Sequence, residues 1–181
     1  NTKPESSLIR FCVRDAYLNF YFRFVRPIQE DIEAGDYRKN PSSALPYQSY
    51  RQALGLMFER FCRHNHRLIA NILRFSSVRY HSGVFFNRGT SRTDPGFQID
   101  LIFDRADQVL TVCEIRYTQA PVSLEVIDGF EQKLAKLPNK SRKTIHSVLI
   151  SVNGATDALE ASGYFDKIIT LKDIFSQENW E

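Results

Sequence analysis

Apolar side chains recur by threes, fours and sevens at Leu54, Met57, Phe58, Phe61, Leu68, Ile69 and Ile72, which predicts one long amphipathic helix over residues 48–73. Beyond it the period falls to two. Residues 78–86, 97–103 and 109–117 are rich in β-branched and aromatic side chains and are bounded by Gly89, by Asp94, Pro95 and Gly96, and by a polar turn at 104–107. They predict three strands of a meander. Helical spacing returns at Val126, Ile127, Phe130, Leu134 and Leu137, predicting a helix over 123–137 that stops at Pro138 and Asn139. Residues 145–152 read as a buried strand, followed by a short helix at 155–162, a strand at 167–171 and a short last helix. The order α-β-β-β-α-β predicts an α/β fold, a mixed sheet passing from antiparallel to parallel with helices beside it, over residues 47–175.

The aromatic stretch at 10–25 predicts a helix capped by Asp15, with Leu18, Tyr21, Phe22 and Val25 on its apolar face and Pro27 at its end. Residues 29–46 carry Gly35, Asn40, Pro41 and Pro46 and read as loop. The expected organisation is therefore a helical arm and linker at 1–45 and an α/β domain at 46–181. The chain begins Asn-Thr-Lys without an initiator Met or a secretory leader, which fits either a truncated chain or a piece of a longer protein.

Composition narrows the class. With 43% hydrophobic and 25% charged residues, the chain has the make-up of a water-exposed globular domain, and no apolar run reaches the ~18 residues of a membrane span. Charge is uneven: residues 1–92 hold 15 Lys and Arg against 7 Asp and Glu, residues 93–181 hold 9 against 14, so the halves carry +8 and −5. The basic half suits a polyanion such as nucleic acid, and equally a solvated helix face. Three cysteines, Cys12, Cys62 and Cys113, have no CxxC spacing and imply no disulfide frame, which points to a reducing, cytoplasmic compartment.

Chemistry concentrates at residues 96–118. In extended chain, Gln98, Asp100 and Ile102 share one face, and Val112, Glu114 and Arg116 share one face of the next strand. A tight turn at 104–107 makes the two strands an antiparallel hairpin, bringing Asp100 towards Glu114 with Arg116 beside them. Paired carboxylates suit Mg²⁺ or Mn²⁺ with a phosphate completing the shell, and a neighbouring cation would stabilise charge building on that phosphate. The same three residues also fit a plain surface ion pair. Elsewhere, Cys62, His64 and His66 lie close together but lack a fourth zinc ligand, and His81 and His146 stand with no nucleophile elbow. No phosphate-binding GxxxxGK(S/T) loop is present.

From Glu59 in GLMFERFCR, through Asp100 in QIDLIFDR, to Glu114, Ile115 and Arg116 in VCEIRYT, the chain resembles the PD-(D/E)xK nuclease pattern. More narrowly, VRDAYLNFYFRFVRP and the hairpin that follows look like the C-terminal domain of predicted archaeal and bacterial AAA-type, or DEXX-box, ATPases. The resemblance implies a restriction-endonuclease-like fold and a metal-dependent nuclease-like domain acting on DNA or RNA. Asp100 and Glu114 would be metal ligands, Glu59 an outer ligand and Arg116 a charge stabiliser. It also implies an ATPase region outside this chain, where any ATP would bind and against which the 1–45 arm would pack. Two positions depart from the pattern: Ile99 precedes Asp100 where the motif has proline, and Arg116 replaces its lysine. Arginine does not give up its proton, so it orients water or phosphate but is no base; Lys133 on the following helix is a displaced substitute. The alternative is an inactive module that binds nucleic acid or protein.

Overall fold

A computed structural model describes residues 13, 15–89 and 95–180. The chain forms two compact units, Asn1–Ala53 and Leu54–Glu181. The division falls inside a helix, past the Pro46 loop.

In the first unit, helix α1, Ala16–Phe20, starts at Asp15, whose side chain accepts from Leu18 N at 2.8 Å. The predicted cap is therefore real, but the expected burial is not. Leu18 and Phe22 are exposed, while Phe24 is buried against Phe20 and Tyr50. A π turn at Tyr21–Val25 supplies the reason: it changes the residue period, so the apolar stripe of a regular helix moves off Leu18 and Phe22. Pro27 does not end the helical path. It sits in a 3₁₀ turn, Arg26–Ile28, where its missing N–H costs nothing, and helix α2, Gln29–Ala34, runs on through the expected loop to Gly35, whose φ of 97° makes a left-handed cap. The part of the expected arm before residue 13 lies outside the described residues.

Helix α3, Tyr47–His64, and helix α4, His66–Ile72, replace the single helix expected over 48–73. The break is chemical. Asn65 Nδ2 donates to Phe61 O at 2.9 Å, and His64 Nδ1 lies 3.0 Å from Arg60 O, so side chains compete for carbonyls at the helix end.

The second unit carries a five-stranded mixed sheet in the order β1-β2-β3-β4-β5: β1 Tyr80–Gly89, β2 Pro95–Arg105, β3 Val109–Arg116, β4 Thr144–Ser151 and β5 Lys167–Thr170. The first three strands are antiparallel neighbours and the last three parallel ones. Helix α5, Val126–Ala135, makes the β3 to β4 crossover; α6, Asp157–Ser162, precedes β5, and α7, Leu171–Ile174, follows it. Gly96 is required where β2 begins, since a Cβ there would lie 2.5 Å from Asn87 O. No helix among the described residues is long and apolar enough to cross a membrane.

Each sheet face buries its own core. Phe58, Cys62, Ile69 and Phe75 of the α3–α4 side pack on Leu101, Phe103, Cys113 and Ile115. Val126 and Phe130 of α5, with Leu159 of α6, pack on Ile99, Val112 and Leu149. Phe103 is fully buried and meets Phe75 and Tyr80 edge to face, so Phe103→Ala is expected to cost about 3–5 kcal/mol, read as a lower urea midpoint at unchanged slope.

Candidate active site

Glu114 is the centre of the cluster. It stands near the end of β3 with 1% of its side chain exposed, a burial that would cost several kcal/mol for a carboxylate without partners. Two cations meet it. Arg116 Nη2 lies 2.6 Å from Glu114 Oε1, and Lys133 Nζ lies 2.9 and 2.8 Å from Oε1 and Oε2. Lys133 arrives from α5, where Val126, Phe130 and Lys133 are spaced four and three residues apart and so form one stripe. Its two neighbours in that stripe are buried apolar side chains, so the lysine occupies a core-facing position.

Asp100 comes from β2, one residue beyond the Leu101↔Cys113 pair of the hairpin, and is also buried. Gln98 Nε2 donates to its Oδ1 at 2.8 Å. Glu59 comes from the middle of α3 with Arg63 one turn on, Arg63 Nη2 reaching Glu59 Oε2 at 2.7 Å. Burial raises the Glu59 carboxyl above its ordinary value of 4.5; the charges of Asp100 and Glu114 raise it further, while Arg63 and Lys133 oppose the shift. Glu59 thus feels the charge of both other carboxylates, and of the four expected site residues Glu114 and Arg116 are in direct contact.

The shared face expected for Asp100 and Glu114 is corrected. In the β1–β2 pair Gly83 faces Ile102 but Phe85 faces Ile99, so Asp100 and Leu101 together stand against the single Val84. This bulge breaks the alternation: Ile99 and Ile102 both pack on the α5 side, whereas Leu101 and Phe103 pack on the α3–α4 side. Ile102 therefore leaves the face assigned to it, and Asp100, bonded to Gln98, lies towards α3 and Glu59. Glu114 follows Val112 to the α5 side, where Lys133 waits. The two carboxylates thus leave the hairpin by opposite faces, and no hydrogen bond or ion pair among the described residues links them.

Gln98, which strand periodicity put on the face of Asp100, and Lys133, the displaced substitute, join the cluster, and Arg63 is the member that the sequence reading did not single out. Lys133 had a signal, a charged residue inside the apolar stripe of α5. Among the described residues no group of three or more His, Cys, Asp or Glu is arranged to hold a metal. Cys62 is fully buried and its thiol is pushed up to about 12 by burial, while the break at Asn65 puts His66 on α4 beside the Tyr80 hydroxyl at 3.1 Å. Cys62 and Cys113 are both free, and Cys12 lies outside the described residues.

No protein-family model matches the chain, and no curated protein does. A crystal structure of a protein of unknown function, AF1548, is similar at a TM-score of 0.38 and 11% identity over 62% of this chain. The chain spans 58% of that protein's length.

Lys133→Met is expected to destabilise the fold by about 1–3 kcal/mol by leaving Glu114 half-satisfied, and Glu114→Gln in the same chain should recover part of the loss, a coupling read from a denaturant double-mutant cycle. The Glu59 shift has a definite sign. Its carboxyl binds protons more tightly folded than unfolded, so its contribution to stability is full below pH 4.5 and is lost as pH rises through the folded value. Glu59→Gln, which cannot titrate, should therefore gain melting temperature relative to the native chain as pH rises above 4.5.

Proposed function

We propose that the chain is a nuclease-like domain that hydrolyses phosphodiester bonds in DNA or RNA with Mg²⁺ or Mn²⁺, on a restriction-endonuclease-like fold of the PD-(D/E)xK type. One observation carries the reading: Lys133 Nζ from α5 lies on both oxygens of buried Glu114, where the motif's lysine, absent from β3, would be needed. Asp100 and Glu114 offer hard oxygen donors, and one or two carboxylates suffice for an ion of this kind, which keeps most of its waters. Such an ion polarises a phosphoryl oxygen and makes a water more acidic. Arg116, held by Glu114 yet 43% exposed, stabilises charge on the phosphate and transfers no proton. Lys133 orients the attacking water, and Glu59 holds a proton near the site more readily than an ordinary carboxyl does. The family resemblance makes an ATPase region of the same polypeptide the proposed partner, with ATP bound there.

A second reading, a non-catalytic module that binds nucleic acid or protein, is favoured by a different observation. Glu59 is already paired with Arg63 and Glu114 with both Arg116 and Lys133, while Asp100 accepts from Gln98. Generic single- and double-stranded DNA and RNA incubated with Mn²⁺ separate the two. On the nuclease reading the native chain cuts weakly, Arg116→Lys raises cleavage, Asp100→Ala abolishes it, and Lys133→Met lowers it by about 10²-fold or more, the scale of acid–base assistance. Inert native and Arg116→Lys proteins that still bind nucleic acid without added metal would assign the chain to the second reading.

A further inference from the structure

A second cavity lies at the opposite end of the sheet from Glu114 and Arg116, where the parallel strands β4 and β5 begin. It measures about 320 Å³, near the lower end of the range for small-ligand pockets, and is lined by Arg74, His146, Asp166, Lys167 and Asp173 among others. Arg74 and Lys167 are exposed and make no ion pair among the described residues. Arg74 is held there by a left-handed backbone, φ 60°, in a turn closed by Phe75 N donating to Ala70 O at 3.0 Å. A non-glycine residue in that region is strained and persists only where its surroundings fix it.

The two carboxylates are half committed. Asp166 Oδ2 accepts from Ser147 N at 2.7 Å, and Asp173 Oδ2 accepts from Thr170 N at 2.8 Å and from the Thr170 hydroxyl at 2.7 Å. Oδ1 of each has no hydrogen bond among the described residues. His146 contributes a ring nitrogen. Its Nδ1 lies 3.5 Å from the fully buried Thr111 hydroxyl, which also accepts from Arg105 Nη1 at 3.4 Å, and its Nε2 has no hydrogen bond among the described residues. Burial lowers the proton affinity of the imidazole, while Asp166 opposes that shift.

We propose that this cavity binds a small phosphomonoester bearing hydroxyl groups, of the sugar-phosphate class, with Arg74, Lys167 and His146 donating to the phosphate and the spare Asp166 and Asp173 oxygens accepting from hydroxyls. Charged donors and free carboxylate acceptors facing one small space match a ligand that is anionic at one end and rich in O–H groups at the other. The site does not depend on the nuclease reading.

Calorimetric titration of the 181-residue protein with ribose 5-phosphate, inorganic phosphate and ribose tests it. Ribose 5-phosphate is expected to bind with a Kd on the order of 0.1–1 mM, and each of Arg74→Glu and Lys167→Glu, both at exposed positions, should weaken it at least tenfold while leaving the melting temperature unchanged. Inorganic phosphate should bind at least tenfold more weakly, and ribose not measurably. The proposal is overturned by absence of binding at about 10 mM ribose 5-phosphate, by unchanged affinity in both charge-reversal variants, or by phosphate binding as tightly as the sugar phosphate.

Discussion

A carboxylate buried to 1% exposure constrains everything around it. Glu114 cannot sit near the end of β3 as a lone charge, so the fold has to deliver cations to it, and it does so from two elements: Arg116 from the same strand and Lys133 from the crossover helix. Lys133 in turn fixes the angular position of α5, because its neighbours Val126 and Phe130 must pack on Ile99, Val112 and Leu149 while the ammonium reaches the carboxylate. Removing either side of the arrangement leaves a desolvated charge, which costs more than an apolar replacement of the whole.

The bulge opposite Val84 is the second constraint. It lets one strand send Ile99 and Ile102 to one core and Leu101 and Phe103 to the other, with Asp100 turned towards α3 between them. Without the extra residue, alternation would carry either the apolar set or the carboxylate to the wrong side. The site therefore exists where two cores meet at the end of a hairpin, and Glu59, which feels both Asp100 and Glu114, marks the junction. Burial and the neighbouring carboxylates raise the proton affinity of Glu59, a perturbation found both at sites of chemistry and in structural ion-pair networks.

Much of the architecture was legible along the chain. Period-two runs located the strands, helical spacing located α3 and α5, and the polar turn at 104–107 set the hairpin that makes the strands of Asp100 and Glu114 neighbours. Local chemistry spoiled the remainder: Asn65 cut one helix into two, a π turn rotated the aromatic face away from Leu18 and Phe22, and Pro27 served as a helix start rather than a stop. Each is a choice between backbone and side-chain hydrogen bonds, or between helix pitches, that a residue pattern leaves nearly balanced.

By itself the sequence determined which residues are apolar at which spacing, and hence the α/β class, the strands, and a short list of charged residues near a hairpin. Tertiary structure decided which of those charges meet. Lys133 lies 19 residues from Glu114 and Glu59 lies 41 from Asp100, distances along the chain over which no periodicity acts. The packing of α5 brings Lys133 to Glu114 on one face of the sheet, and a single bulge in β2 turns Asp100 on the other face towards α3, whose Glu59 feels its charge.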